Sequence, residues 1–259
     1  MNRVCLTNDD GPFSSGLLKL AETLSPHVDI SIVVPDGERS ASGKTLTLNR
    51  PLRIKRMKSA NGFEMITHDG SPADSVVLAR CLIDDIDLFV SGINAGGNLG
   101  YQSMFTSGTV GAAMEAALMG FPAIAASLIV EPNEWFNSAE KERDYTEICE
   151  VIRDVVLRVL GKGLPKGIDA INLNFPSILS EESKIVVTKP ARVRISNELD
   201  KRVDPNQSPY YWLKGIHNAP SKGTDADIVL NSTNISLSPI IIEAATDQHI
   251  DSLKQFMSD

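Results

Sequence analysis

Residues 4–11 read VCLTNDDG and residues 12–24 read PFSSGLLKLAETL. The first stretch is a short apolar run that ends in a polar turn at Gly11, and the second carries a helical pattern over 14–24. A second β-prone run, ISIVV at 30–34, follows at once. Strand, helix and strand in that order make a βαβ unit, which implies parallel pairing. The pattern then repeats: helix over 72–82, strand over 87–91, helix over 110–119, strand over 123–128, a long helix from about 138 to 160, and a strand over 170–173. The fold class this predicts is α/β, a Rossmann-like, doubly wound, mainly parallel sheet.

Beyond residue 179 the composition shifts. A basic, β-prone segment at 184–195 gives way to a polar, turn-rich stretch over 197–209, then Tyr210, Tyr211 and Trp212, a second turn-rich stretch over 218–227, and a strand-like run at 235–242. This reads as a C-terminal β-hairpin extension, not another βαβ unit. The expected organisation is a single domain over 1–259. Its core spans about 1–179, and its extension, with a final strand and helix, spans about 180–259.

The 259 residues are 42% hydrophobic and 22% charged, enough to bury a large core. A net charge of −8 argues against sequence-independent binding to nucleic acid, duplex included, or to an anionic membrane, while leaving room for a small anion in a locally positive pocket. The longest apolar stretch, 121–130, is about half the ~20 residues a membrane span needs. The N-terminal residues reach Asp9 and Asp10 without a signal-like pattern, so a cytoplasmic location is expected. Cys5, Cys81 and Cys149 show no metal-type spacing and read as buried free thiols.

In open α/β sheets ligands sit beyond the carboxyl ends of the strands. Four loops there are chemically unusual. Asp9 and Asp10 are adjacent like charges that resist ionising together. Either one caps the next helix while the other is solvated, or both converge on a divalent cation. PDGERSASGKT at 35–45 mixes hydroxyls, glycines, Arg39 and Lys44, which suits an oxygen-rich anion or metal site as well as an ordinary surface loop. SGINAGGNLG at 91–100 lets backbone approach a ligand and offers the amide oxygen of Asn94 to a hard cation. TSGTVGAA at 106–113 opens a helix, whose free N–H groups with Ser107 and Thr109 can cap it or cradle a phosphate. Together these are the parts for transferring a phosphoryl group to water.

These segments, with GSPADSV at 70–76 and INLNFP at 171–176, resemble the SurE family of survival-protein 5′-nucleotidases over about residues 3–245. The resemblance implies one divalent cation per subunit, Mg2+ or Mn2+, on Asp9, Asp10, Ser40 and Asn94. It implies a phosphate site of Asn98, Ser107, Gly108 and Thr109 with Asn8 and Gly43 nearby, so that Asp9, Asp10, Asn98 and Ser107 form the catalytic set. It further implies hydrolysis of nucleoside 5′- and 3′-monophosphates, and in some members short polyphosphate, by a homodimer or homotetramer built through the C-terminal hairpin. On this reading Asp9, ahead of Asp10, takes the proton of the attacking water, and the amides of Ser107, Gly108 and Thr109 steady the phosphoryl oxygens.

The alternative is a nucleotide-binding sensor without turnover. His27, His68, His217 and His249 are scattered and read as surface or packing residues, with His68 the nearest to a family motif. Tyr210, Tyr211 and Trp212 could stack a base, but an aromatic cluster on a hairpin more often packs or joins subunits.

Overall fold

The computed structural model describes residues 1–259 apart from 60, 131–142, 193–194, 218, 244 and 259. β1 (Arg3–Thr7) leads through α1 (Ser15–Leu24) to β2 (Asp29–Pro35), followed by β3 (Ile54–Lys58), β4 (Glu64–His68), α2 (Pro72–Leu82) and β5 (Ile86–Ala95). Next come α3 (Gly100–Thr106), α4 (Gly108–Leu118), β6 (Ala123–Leu128), α5 (Thr146–Lys162) and β7 (Ala170–Phe175). The remainder is β8 (Ile185–Val187), β9 (Ile195–Val203), β10 (Pro209–His217), α6 (Asp225–Asn231), β11 (Ile235–Ile240) and α7 (Asp247–Ser258).

Nine strands form one sheet in the order β3-β4-β2-β1-β5-β6-β7-β11-β8, and β9 pairs with β10 in a separate antiparallel hairpin. β4, β2, β1, β5, β6 and β7 run parallel, while β3 and β11 run against β4 and β7. α1 and α5 cover one face, where Val4, Leu6, Leu17, Leu20 and Ile152 pack together. α2 and α4 cover the other, with Cys5, Val33, Phe89, Val76 and Ala112. Successive residues of β1 thus feed opposite layers, which is why its run is apolar without alternation. No helix among the described residues is long and apolar enough to cross a membrane.

The chain winds from β1 outward to β2, then crosses back through α2 to β5 on the far side of β1. Strand order therefore reverses between β1 and β5, and the loops leaving their carboxyl ends diverge around a crevice. Helix caps fix the adjoining turns. Ser14 accepts from Leu17 N at α1, Ser71 and Asp74 form a reciprocal capping box at α2, and Ser107 accepts from Val110 N at α4.

Several segments differ from the sequence expectation. β3 and β4 add an edge that the charged IKRMK segment conceals, since an exposed edge strand lacks a buried period. β5 runs on through Ser91 to Ala95 with an irregularity between Ser91 and Asn94, so half of the expected loop is strand. The polar stretch after 197 is largely β9, its turn confined to 204–208. Within the basic segment, 185–187 and Ile195, the first residue of β9, are strand, and 193–194 lie outside the described residues. The long helix begins at Thr146, and its expected start at 138–142 also lies outside them, as does Asn218. Cys5 and Cys149 are buried, but Cys81 is exposed on the last turn of α2.

Candidate functional site

At the crevice between β1 and β5 the loops after β1, β2 and β5, with α3 and the start of α4, enclose a cavity of about 380 Å³. Asp9 and Asp10 enter from β1, Ser40 from the loop after β2, Asn94 and Asn98 from β5 and its loop, and Ser107 from the cap of α4. The structure thus gathers six of the sequence-derived site residues around one space.

Asp9 is almost wholly buried, yet its carboxylate is well held. Thr109 Oγ1 donates to Oδ1 at 2.5 Å, and Thr109 N donates to Oδ2 at 3.3 Å. Burial nevertheless raises its pKa, with the charge of Glu38 adding to the rise. Asp10 is pushed up to about 7 by burial and then by the neighbouring charge of Asp9. The charges bearing on Asp10 are those of Asp9 and Glu38, both of its own sign. Among the described residues that line the cavity there is no basic side chain to offset these carboxylates.

Two of the amides expected to face phosphate are engaged inside the chain. Ser107 N donates to Ser103 O at 2.9 Å, and Thr109 N serves Asp9. Gly108 does not line the cavity. A Cβ there would lie 2.7 Å from Ser42 Oγ and 3.0 Å from Asp9 Cβ, so glycine is what lets α4 approach β1. Thr109 accordingly faces Asp9, and the positive end of α4 is directed at a carboxylate of the same chain.

Asn98 is pinned on several sides. Its N–H donates to Asn174 Oδ1 at 2.9 Å, its Nδ2 to Ser127 Oγ at 2.7 Å, and its carbonyl accepts from Asn172 Nδ2 at 2.9 Å. The asparagines of INLNFP thus anchor the β5 loop from below. Asn94 Nδ2 donates to Gly96 O at 2.5 Å, which leaves its amide oxygen for the cavity. Asn8 and Gly43 stand outside the cavity lining. Asn8 exchanges two hydrogen bonds with Gly11 at 2.9 and 3.0 Å, closing the turn that carries the aspartates. Gly43, at φ 55°, donates to Thr106 O at 2.8 Å and fastens its loop to α3.

Arg39 and Lys44 do not supply positive charge to the cavity. Arg39 Nη2 pairs with Asp36 Oδ1 at 2.6 Å and its Nε donates to Gly70 O, while Lys44 forms an ion pair with the buried Glu115 of α4. Glu38, unremarked in the sequence reading, does line the cavity and accepts the Ser40 hydroxyl at 2.6 Å. Its only sequence signal is its position two residues before Ser40. His68 is a packed residue. Gly70 N donates to its Nδ1 at 3.0 Å, so Nε2–H faces Ser75 Oγ at 2.7 Å, and burial lowers its pKa to about 4. The described residues hold no group of three or more His, Cys, Asp or Glu side chains able to bind one ion together.

Two adjacent carboxylates with amide and hydroxyl oxygens at the switch point of a doubly wound sheet make an oxygen-donor α/β site. The model of the survival protein SurE family matches residues 4–197. The chain is 39% identical to the 5′-nucleotidase SurE of Thermofilum pendens over 92% of this chain and 90% of that one, and 37% identical to that of Thermococcus gammatolerans over 98% and 96%. The crystal structure of the SurE protein from Aquifex aeolicus superposes with a TM-score of 0.79 at 34% identity, covering 99% of this chain and all of that one. The chain belongs to the SurE family.

Proposed function

We propose that the protein is a 5′-nucleotidase, a phosphoric monoester hydrolase that uses one divalent cation per subunit to release phosphate from nucleoside 5′-monophosphates. Activity on 3′-monophosphates and short polyphosphate is part of the same proposal. The observation that carries it is the meeting of Asp9, Asp10, Ser40 and Asn94 in one cavity with Asn98 and Ser107, in a chain of this family. The relatives named 5′-nucleotidase favour an enzyme over a sensor without turnover.

The residues fit a hard cation. Burial raises the pKa values of Asp9 and Asp10, with like charge from their neighbours adding to the rise, and the donors are all oxygen, as Mg2+ and Mn2+ prefer. Asp9, Asp10, Ser40 Oγ and the Asn94 amide oxygen would hold it. When bound, such an ion polarises the phosphoryl group and acidifies water. Thr109 keeps Asp9 in a single orientation. With both Asp9 oxygens engaged by Thr109, Asp10 becomes the better candidate to accept the proton of the attacking water, the reverse of the sequence expectation. Asn98, immobilised by Ser127 and Asn174 and lining the cavity, is placed to orient phosphoryl oxygens.

Self-association as a dimer or tetramer belongs to this reading. Leu199, Val203, Tyr211, Trp212 and Leu213 are exposed on the β9–β10 hairpin, and Leu253, Phe256 and Met257 on α7, which suits subunit contacts better than base stacking. The test of function is phosphate release from a panel of nucleoside 5′- and 3′-monophosphates with Mn2+, Mg2+ or EDTA. Metal-dependent turnover lost in Asp9→Asn is the expected result. Nucleotide binding by metal-loaded protein without any turnover would establish the sensor instead.

A further inference from the structure

Glu38 lies outside the ligand set Asp9, Asp10, Ser40 and Asn94, yet it lines the cavity beside the first three of them. It sits at the exposed rim, and its Oε1 accepts the Ser40 hydroxyl at 2.6 Å. A hydroxyl that offers a lone pair to a cation must direct its proton elsewhere, and a carboxylate acceptor both settles that direction and makes the oxygen a better donor.

Glu38 also adds charge. Two ionised aspartates match a dication, and a third carboxylate leaves the locality negative. Arg39 and Lys44, in the same loop, do not cancel it, since Arg39 is turned to Asp36 and Gly70, and Lys44 to Glu115. Because no three acidic side chains converge on one point among the described residues, Glu38 acts through Ser40 and through its field, not as a direct ligand.

We infer that Glu38 is a positioning residue of the cation site: it accepts the hydrogen bond of the Ser40 hydroxyl, leaving the oxygen lone pairs for the cation, and its charge tightens cation binding while opposing the phosphate dianion. This rests on reading Ser40 as a cation ligand.

The experiment uses full-length wild type, Glu38→Ala, Glu38→Gln, Ser40→Ala and the double variant Glu38→Ala with Ser40→Ala. Mn2+ dissociation constants are measured by calorimetry without substrate, KM for a nucleoside 5′-monophosphate at saturating Mn2+, and melting in EDTA as a check on folding. Glu38→Ala should weaken Mn2+ binding roughly tenfold or more. Glu38→Gln keeps the acceptor and should weaken it less. Both should lower KM once Mn2+ is saturating, an effect that fades at high salt, and Glu38→Ala should weaken Mn2+ binding less in the Ser40→Ala background than in wild type, since only the field of Glu38 is then lost.

Unchanged Mn2+ affinity in Glu38→Ala, or a KM that rises in both variants, would overturn the inference while leaving the cation site intact. Folded wild type that binds no Mn2+ would bring down the cation reading itself and this inference with it.

Discussion

Thr109 holds Asp9 from two directions across 100 residues of sequence, through its hydroxyl to Oδ1 and its backbone N–H to Oδ2. A hydrogen bond to a buried charged group contributes about 1.5–3 kcal/mol. Thr109→Val should therefore lower stability by an amount in that range and reduce kcat, while Thr109→Ser restores most of both. Denaturant unfolding alongside steady-state kinetics measures the pair, and a Val variant with wild-type kcat would remove Thr109 from any role in ordering Asp9.

The raised carboxyl of Asp10 sets a pH dependence. Its value is 3.8 when unperturbed and about 7 in the fold, so the fold binds this proton more tightly than the unfolded chain. That stabilisation is complete below 3.8 and lost as pH rises through about 7. His68, pulled from 6.5 down to about 4, works oppositely, its contribution present above 6.5 and lost as pH falls through about 4. On the proposed function, a divalent cation would take the place of the proton on the aspartates and leave His68 untouched. The melting-temperature gap between Mn2+ and EDTA should therefore widen from roughly pH 5 to pH 8, as differential scanning calorimetry in both conditions would record.

Close packing of α4 against the loop after β2 depends on Gly111. A Cβ there would meet the Gly43 carbonyl and lie 2.9 Å from Lys44 N, both backbone atoms. Gly111→Ala should cost about 1–3 kcal/mol through overpacking, and should weaken Mn2+ binding by shifting the loop that carries Glu38 and Ser40. Gly161→Ala, in α5 with open space around it, should instead gain about 0.5–1 kcal/mol. Urea titration of the two variants tests the opposite signs.

Asp225 is a buried carboxylate that ties three segments. It accepts from Gly100 N at 2.8 Å, Ala191 N at 2.8 Å and Ala226 N at 2.7 Å. Burial raises its pKa despite those bonds. Each buried donor left without a partner costs about 1–3 kcal/mol, so Asp225→Ala should be strongly destabilising and Asp225→Asn less so. Gly100 stands two residues after Asn98, so KM should rise in Asp225→Asn while Mn2+ affinity stays near wild type. Kinetics and calorimetry on that variant provide the check.

What a local pattern can encode was readable. The apolar runs of β1, β2 and β6 and the helical period of α1 reveal a parallel sheet because strands buried on both faces need no regular polar alternation. The adjacent charges of Asp9 and Asp10 after such a run mark the ligand end of the sheet. β3 escaped notice because IKRMK lies at an edge where solvent accepts lysine and arginine, and β9 because its polar side chains resemble a turn.

The sequence by itself therefore determined the fold class, the family and the loops that meet at the crevice, since each depends on neighbours a few residues apart. Only the tertiary structure decided which groups within those loops are free. Thr109 is committed to Asp9, Arg39 to Asp36, Lys44 to Glu115 and Asn98 to Asn174 and Ser127, whereas Glu38 is turned toward the cavity. The physical reason is that most of these hydrogen bonds and ion pairs join residues that are remote along the chain, so the partner each donor or acceptor takes is set by folding and not by its sequence neighbours.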